Sequence, residues 1–201
     1  MKIKSLFLLL IFFYSSLSIS QNLATLDSKK GYMDIKIGLP ISSIAEKVEK
    51  DIEVDNMYLI SEPKAYYVEN QIIDKIIIMV SEDDKKIIES ITLMFVDKIK
   101  GLLDTANDTR INTEKRIAAF EEAKKLNELG FSYNFYNKLF KDAFGQPKVN
   151  QKGTETWNGK NVTLISVGSK EYGLITFAKV NSSEYIQKKK LEKGKKAANK
   201  F

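Results

Sequence analysis

Residues Ile72–Phe95 read IIDKIIIMVSEDDKKIIESITLMF. Two runs dominated by Ile, Val, Met and Phe, Ile72–Val80 and Ile87–Phe95, flank the polar segment Ser81–Lys86. Short runs this rich in β-branched residues form strands, and a brief polar connection folds them into a hairpin. In the first run Ile73, Ile77 and Met79 fall on one side and Ile76, Ile78 and Val80 on the other. With both faces apolar, that strand belongs in the middle of a sheet.

Upstream, Tyr32–Ile37 alternates as a strand would and is broken by Gly38-Leu39-Pro40. Ser43 with Glu46 matches a capping box, and Ile44 and Val48 continue at helical spacing, which predicts a helix over Ile41–Lys50. Val54–Ile60 and Ala65–Val68 read as further strands. Downstream, Asp104, Asn107 and Asp108 mark a polar loop that leads to a cap at Asn112 or Thr113 and a helix over Glu114–Leu129. Ile117, Phe120, Ala123, Leu126 and Leu129 define its expected buried face, and Gly130 ends it. A second helix over Asn134–Ala143 precedes strands at Thr154–Asn158, Val162–Val167 and Tyr172–Val180, the first two joined by the tight-turn pair Asn158-Gly159. The fold class is therefore α+β, with antiparallel sheet packed by a few helices. Within a domain spanning 21–180, two helix-plus-antiparallel-strand units, 32–97 and 112–180, are either a pseudo-repeat or the ordinary recurrence of a common arrangement.

The two ends read differently from the body. Lys2 and Lys4, an apolar run over Leu6–Tyr14 and then Ser15, Ser16, Ser18 and Ser20 have the layout of a secretory signal peptide over 1–20. The run is shorter than the roughly 20 residues a membrane span takes. Its wording resembles that of exported proteins of Bacteroidetes-type bacteria, and the expected location is the periplasm or the medium. The chain has no cysteine, so an exported domain would be held by its core alone. At the other end, residues 181–201 form a lysine-rich tail containing Lys188, Lys189, Lys190, Lys193, Lys195 and Lys196. Of the formal charge of +6, two come from Lys2 and Lys4 and a net six from the segment Lys188–Phe201, which leaves the body at about −2. Basicity is thus a property of the tail, which is either a solvated terminus or a patch for an anionic membrane surface, where each lysine contributes on the order of 1 kcal/mol. No aromatics are interleaved with these lysines, which argues against nucleic acid.

Without histidine or cysteine, the usual zinc and copper ligands, the thiol nucleophile and the Ser-His-Asp triad are all excluded. Asp51, Glu53, Asp55 and Glu62 fit positions of a calcium-loop template, but Asn56 replaces its glycine and the surrounding Ile52, Val54 and Met57–Ile60 read as strand. No metal or cofactor is therefore expected.

Tyr66 and Tyr67, adjacent on one strand, together with Trp157 and Tyr172, are the candidate partner-binding residues, since exposed aromatics on a sheet suit recognition. The competing reading buries Trp157 in the core, and Tyr133, Phe135, Tyr136 and Phe140 pose the same choice on their helix. The helix running into Phe144-Gly145-Gln146-Pro147 and followed by three strands resembles modules of the beta-lactamase-inhibitor-protein and outer-membrane-assembly BamE-like group. That resemblance implies an exported, non-catalytic protein that presents a sheet face to a protein or cell-envelope polymer. The alternative is a glycan hydrolase with two carboxylates facing each other across a groove.

Overall fold

In the computed structural model, which describes residues 23–169 and 171–180, the Ile72–Phe95 stretch forms the antiparallel pair β5 (Lys75–Val80) and β6 (Ile88–Val96). The other elements are α1 (23–29), β1 (Gly31–Tyr32), β2 (Ile35–Lys36), β3 (Glu49–Lys50), β4 (Met57–Ile60), α2 (Ile99–Asn107), α3 (Thr113–Leu129), α4 (Ser132–Phe144), β7 (Lys148–Val149), β8 (Glu155–Asn158), β9 (Val162–Gly168) and β10 (Tyr172–Lys179). The fold is α+β. Eight strands form one antiparallel sheet in the order β3-β4-β5-β6-β10-β9-β8-β7. It consists of two four-stranded meanders that run inward from opposite edges and meet where β6 pairs with β10.

One face of the sheet carries the core. Ile76, Ile78, Ile91, Leu93, Phe95, Ile175, Phe177, Leu164 and Trp157 point to it and are buried. α4 lies over them because Tyr133, Tyr136, Phe140 and Phe144 recur every three to four residues and fall on one side of the helix. Phe140 packs edge-on to Phe177 and stacks on Phe144. Gly168 and Gly173, paired across β9 and β10, leave the shallow seat in which the Tyr133 ring lies; a Cβ on either would overlap that ring. Leu26 of α1 and Tyr32 and Ile35 of the β1–β2 hairpin fill the rest of the same face.

Besides Ala65–Val68, which holds a 3-10 turn and no strand, four stretches depart from the sequence reading. Tyr32–Ile37 is a tight β1–β2 hairpin turning at Met33 and Asp34, not one strand. Ile41–Lys50 is not a helix: after a single 3-10 turn over Ile41–Ser43 the chain extends, and the Ser43 hydroxyl donates to the Pro40 carbonyl instead of capping. A ten-residue helix is marginal by itself. Here the Ile41 N–H donates to Lys86 O and Pro40 bridges Ile87, so this segment is claimed by the β5–β6 hairpin. The expected loop around Asp104 is the helix α2, whose Ile99, Leu102, Leu103 and Ala106 have amphipathic spacing outweighed in the reading by the nearby Asp, Asn and Gly.

The fourth departure concerns α3, which begins at the Asn112 cap, whose side chain accepts from the Lys115 N–H. Its buried positions are Ala119 and Ala123, while Ile117 and Phe120 are 59 % and 53 % exposed. α2 is the helix it packs on, with Arg116 Nε donating to Ala106 O. Small residues let the two helices approach closely, and the larger ones are left beside the contact.

Candidate functional site

The four candidate aromatics do not form one patch. Trp157 pairs with Leu164 on the core face, is 2 % exposed, and donates its indole N–H to Gly145 O at 2.7 Å. Ala65–Val68 is not a strand: Tyr66 ends a 3-10 turn over Lys64–Tyr66 and is buried, with Tyr67 half-buried beside it. The irregular backbone here is satisfied by tyrosines from elsewhere. Tyr32 donates to Tyr66 O at 2.6 Å, and the Tyr136 hydroxyl accepts the Val68 N–H at 3.0 Å and lies 3.2 Å from Gln71 O. Tyr66 and Trp157 are thus core residues, as are Tyr133, Tyr136 and Phe140. Tyr172 alone of the four is substantially exposed, at 49 %, and it lies on the opposite sheet face from Trp157. The tail residues Lys188, Lys189, Lys190, Lys193, Lys195 and Lys196 lie outside the described residues.

The polar cluster closest in make-up to a catalytic one is closed. The Tyr133 and Ser166 hydroxyls are 2.9 Å apart, Ser166 also reaches Asn137 Oδ1 at 3.3 Å, and Lys141 pairs with Glu155 at 2.7 Å nearby. Burial, the largest influence, pushes the Tyr133 hydroxyl above its ordinary range. Ser166 is only 1 % exposed, so this network ties α4 to β8 and β9 and offers no approach to a substrate.

Three cavities stand out among the described residues. One of about 50 Å³ is lined by Asp74, Asp97 and Glu122, far below the roughly 300 Å³ at which ligand pockets begin. Both of its aspartates are engaged: Asp74 accepts the Val96 N–H at 2.7 Å and pairs with Lys98, and Asp97 accepts the Ile99 N–H at 3.0 Å. A second, of about 300 Å³, contains Lys30, Lys160, Lys179 and one carboxylate, Glu89. The third, of about 280 Å³, lies between Leu23, Phe144, Trp157 and Lys148 and has no carboxylate. Neither of the two larger cavities therefore brings together the paired acids a glycosidase uses.

The calcium template is dispersed as well. Asp51 accepts the Glu53 and Val54 N–H groups in the β3–β4 turn, while Asp55 pairs with Lys50 and Glu62 with Lys64. Among the described residues no three acidic side chains cluster as a metal site.

What the tertiary structure does assemble is the second face of the sheet. The strand registers align Glu49, Leu59, Ile77, Thr92, Thr176, Ile165, Thr156 and Lys148 in one row across all eight strands. On one side of it run Met57, Met79, Ser90, Ala178, Thr163 and Asn158. On the other run Lys75, Met94, Leu174 and Val167, and beyond them Val96 and Tyr172. Leu59, Ile77, Met79, Met94, Leu174, Ile165 and Val167 are partly exposed, and none belongs to the core cluster. Along the central row the interior is Leu, Ile and Thr, and charges stand only at its two ends.

Sequence reasoning missed this surface because apolar residues on both sides of Ile72–Val80 are the usual mark of a strand covered twice. No family model, curated protein or solved structure matches the chain.

Proposed function

We propose that this is an exported, non-catalytic binding protein of the cell envelope, and that another protein docks on the open face of its eight-stranded sheet. The observation that carries the reading is the row from Glu49 to Lys148, which displays aliphatic and threonine side chains across the whole sheet on the side away from α4. Contiguous, partly exposed apolar surface of this extent marks an interaction site more often than an inert exterior. The edges are unsuited to recruiting a strand: β3 and β7 are two residues long and carry Glu49, Lys50 and Lys148. A partner is therefore met by the face and not by an edge.

Export is supported by the charged, apolar and small-residue segments of 1–20. The lysine-rich tail supplies a second, weaker attachment to anionic surface.

The test is cross-linking capture from the native envelope with three forms: the full chain, a chain ending at Gln187, and Ile165→Lys. A discrete protein partner kept by the first two and lost by the third is the expected result. Recovery of the same partner by Ile165→Lys would overturn the assignment of the face.

A further inference from the structure

We infer that the protein taken by the open face is a second copy of this chain, packed sheet to sheet about a two-fold axis parallel to the central strands. This rests on reading that face as a docking surface, and it adds the identity of the partner.

Two features carry it. The first is charge order. The row begins with Glu49 on β3 and ends with Lys148 on β7, and its midpoint falls between Thr92 and Thr176. A two-fold axis through that midpoint, lying in the interface and parallel to β6 and β10, exchanges left for right. Glu49, which also pairs with Lys47 of its own chain at 3.2 Å, then meets the partner's Lys148, twice per dimer. Between them the aliphatic positions Ile77 and Ile165 oppose each other, the threonines meet at the centre, and Tyr172 lies over the partner's Val96. The alternative axis, across the strands, would set Glu49 against Glu49 and Lys148 against Lys148. Lys75, the other charge among these rows, is the first residue of β5 and sits at the rim.

The second feature is area. The twenty aligned positions, each about 4.8 Å by 6.7 Å of sheet, give roughly 640 Å² per copy, or about 1,300 Å² for a pair, at the lower end of the roughly 1,200–2,000 Å² of stable interfaces. Aligned packing of two such faces is the ordinary geometry of a β-sandwich. The charged, two-residue edge strands stop the pair from growing sideways into a fibre.

Sedimentation velocity on the full chain, expressed with its own leader and purified as cells deliver it, tests this at about 1 to 100 µM, the range expected for an interface of this size without a deep anchor. Concentration-dependent dimers are expected. Glu49→Lys and Lys148→Glu alone should each weaken dimerisation about five- to tenfold, because two attractive rim contacts become repulsive. The double exchange Glu49→Lys/Lys148→Glu should restore it. Both residues are exposed, so these variants leave the core intact. A monomer throughout the range, or a dimer indifferent to the single reversals, overturns the inference. If the chain is monomeric while envelope capture still depends on Ile165, self-association falls and the docking reading stands; if capture is also indifferent to Ile165→Lys, both fall.

Discussion

The hydroxyls of Thr92 and Thr176 face each other across the central strand pair at 3.0 Å, on the face of the sheet that α4 does not cover. They join the last strands of the two meanders at the middle of the open face. Thr92→Val or Thr176→Val should cost about 0.5–1 kcal/mol, since one hydroxyl loses its partner but can still find water. The double Val variant should be close to wild type, because an apolar pair of the same shape replaces a hydrogen-bonded one. Urea unfolding of the three variants measures the coupling, which vanishes if the contact is incidental.

Gly173→Ala is expected to destabilise by about 1–3 kcal/mol, because its Cβ must displace the Tyr133 ring from its seat. Tyr133→Ala alone should cost about 3–5 kcal/mol as a buried aromatic truncation. The double variant should lose clearly less than the sum, because the ring that clashes is gone. Additive losses in thermal or urea unfolding would show that the glycine serves the strand and not the ring.

Trp157 is the only tryptophan in the chain and is 2 % exposed, so native emission should be blue-shifted and resistant to acrylamide, moving to the red on unfolding. Trp157→Phe removes the donor to Gly145 O and should cost about 1–3 kcal/mol by calorimetry or circular dichroism. Red, readily quenched emission from the folded protein would place Trp157 at the surface and revive it as a binding residue.

Asp27 gives the fold an acid-sensitive clasp. Burial is the largest single influence and pushes its carboxyl up, but the N–H groups of Asn161, Lys160 and Val162 together outweigh it and hold Asp27 below the usual carboxylate range. A depressed folded-state pKa contributes stability above the unfolded value, near 4, and loses it as pH falls through the folded one. Asp27→Ala should therefore destabilise by about 1–2 kcal/mol at neutral pH and have a smaller effect well below pH 3. A penalty unchanged between pH 7 and pH 2 would assign the loss to packing.

The expected helix over Ile41–Lys50 shows where local reading ends. Its capping box and periodicity are real, yet a short segment holds only a few helical hydrogen bonds, and contact of Pro40 and Ile41 with Ile87 and Lys86 outweighs them. Tyr66 is the same lesson for the site: whether an aromatic is a recognition residue or a core residue is fixed by what folds over it, and Tyr32 and Tyr136 arrive from distant parts of the chain.

By itself the sequence determined the strands of Ile72–Phe95, a helix starting from a cap at Asn112 or Thr113, and the α+β class, because hydrogen-bonded turns and side-chain periodicity are local properties. It also removed histidine and cysteine chemistry by composition. Only the tertiary structure decided that the two meanders join through β6 and β10, and hence that Glu49, Leu59, Ile77, Thr92, Thr176, Ile165, Thr156 and Lys148 share one row. Strand order and register depend on which apolar face α1, α4 and the β1–β2 hairpin can cover, and together they reach only one side of the sheet. The other side, which in β5 carries Ile77 and Met79, stays partly exposed.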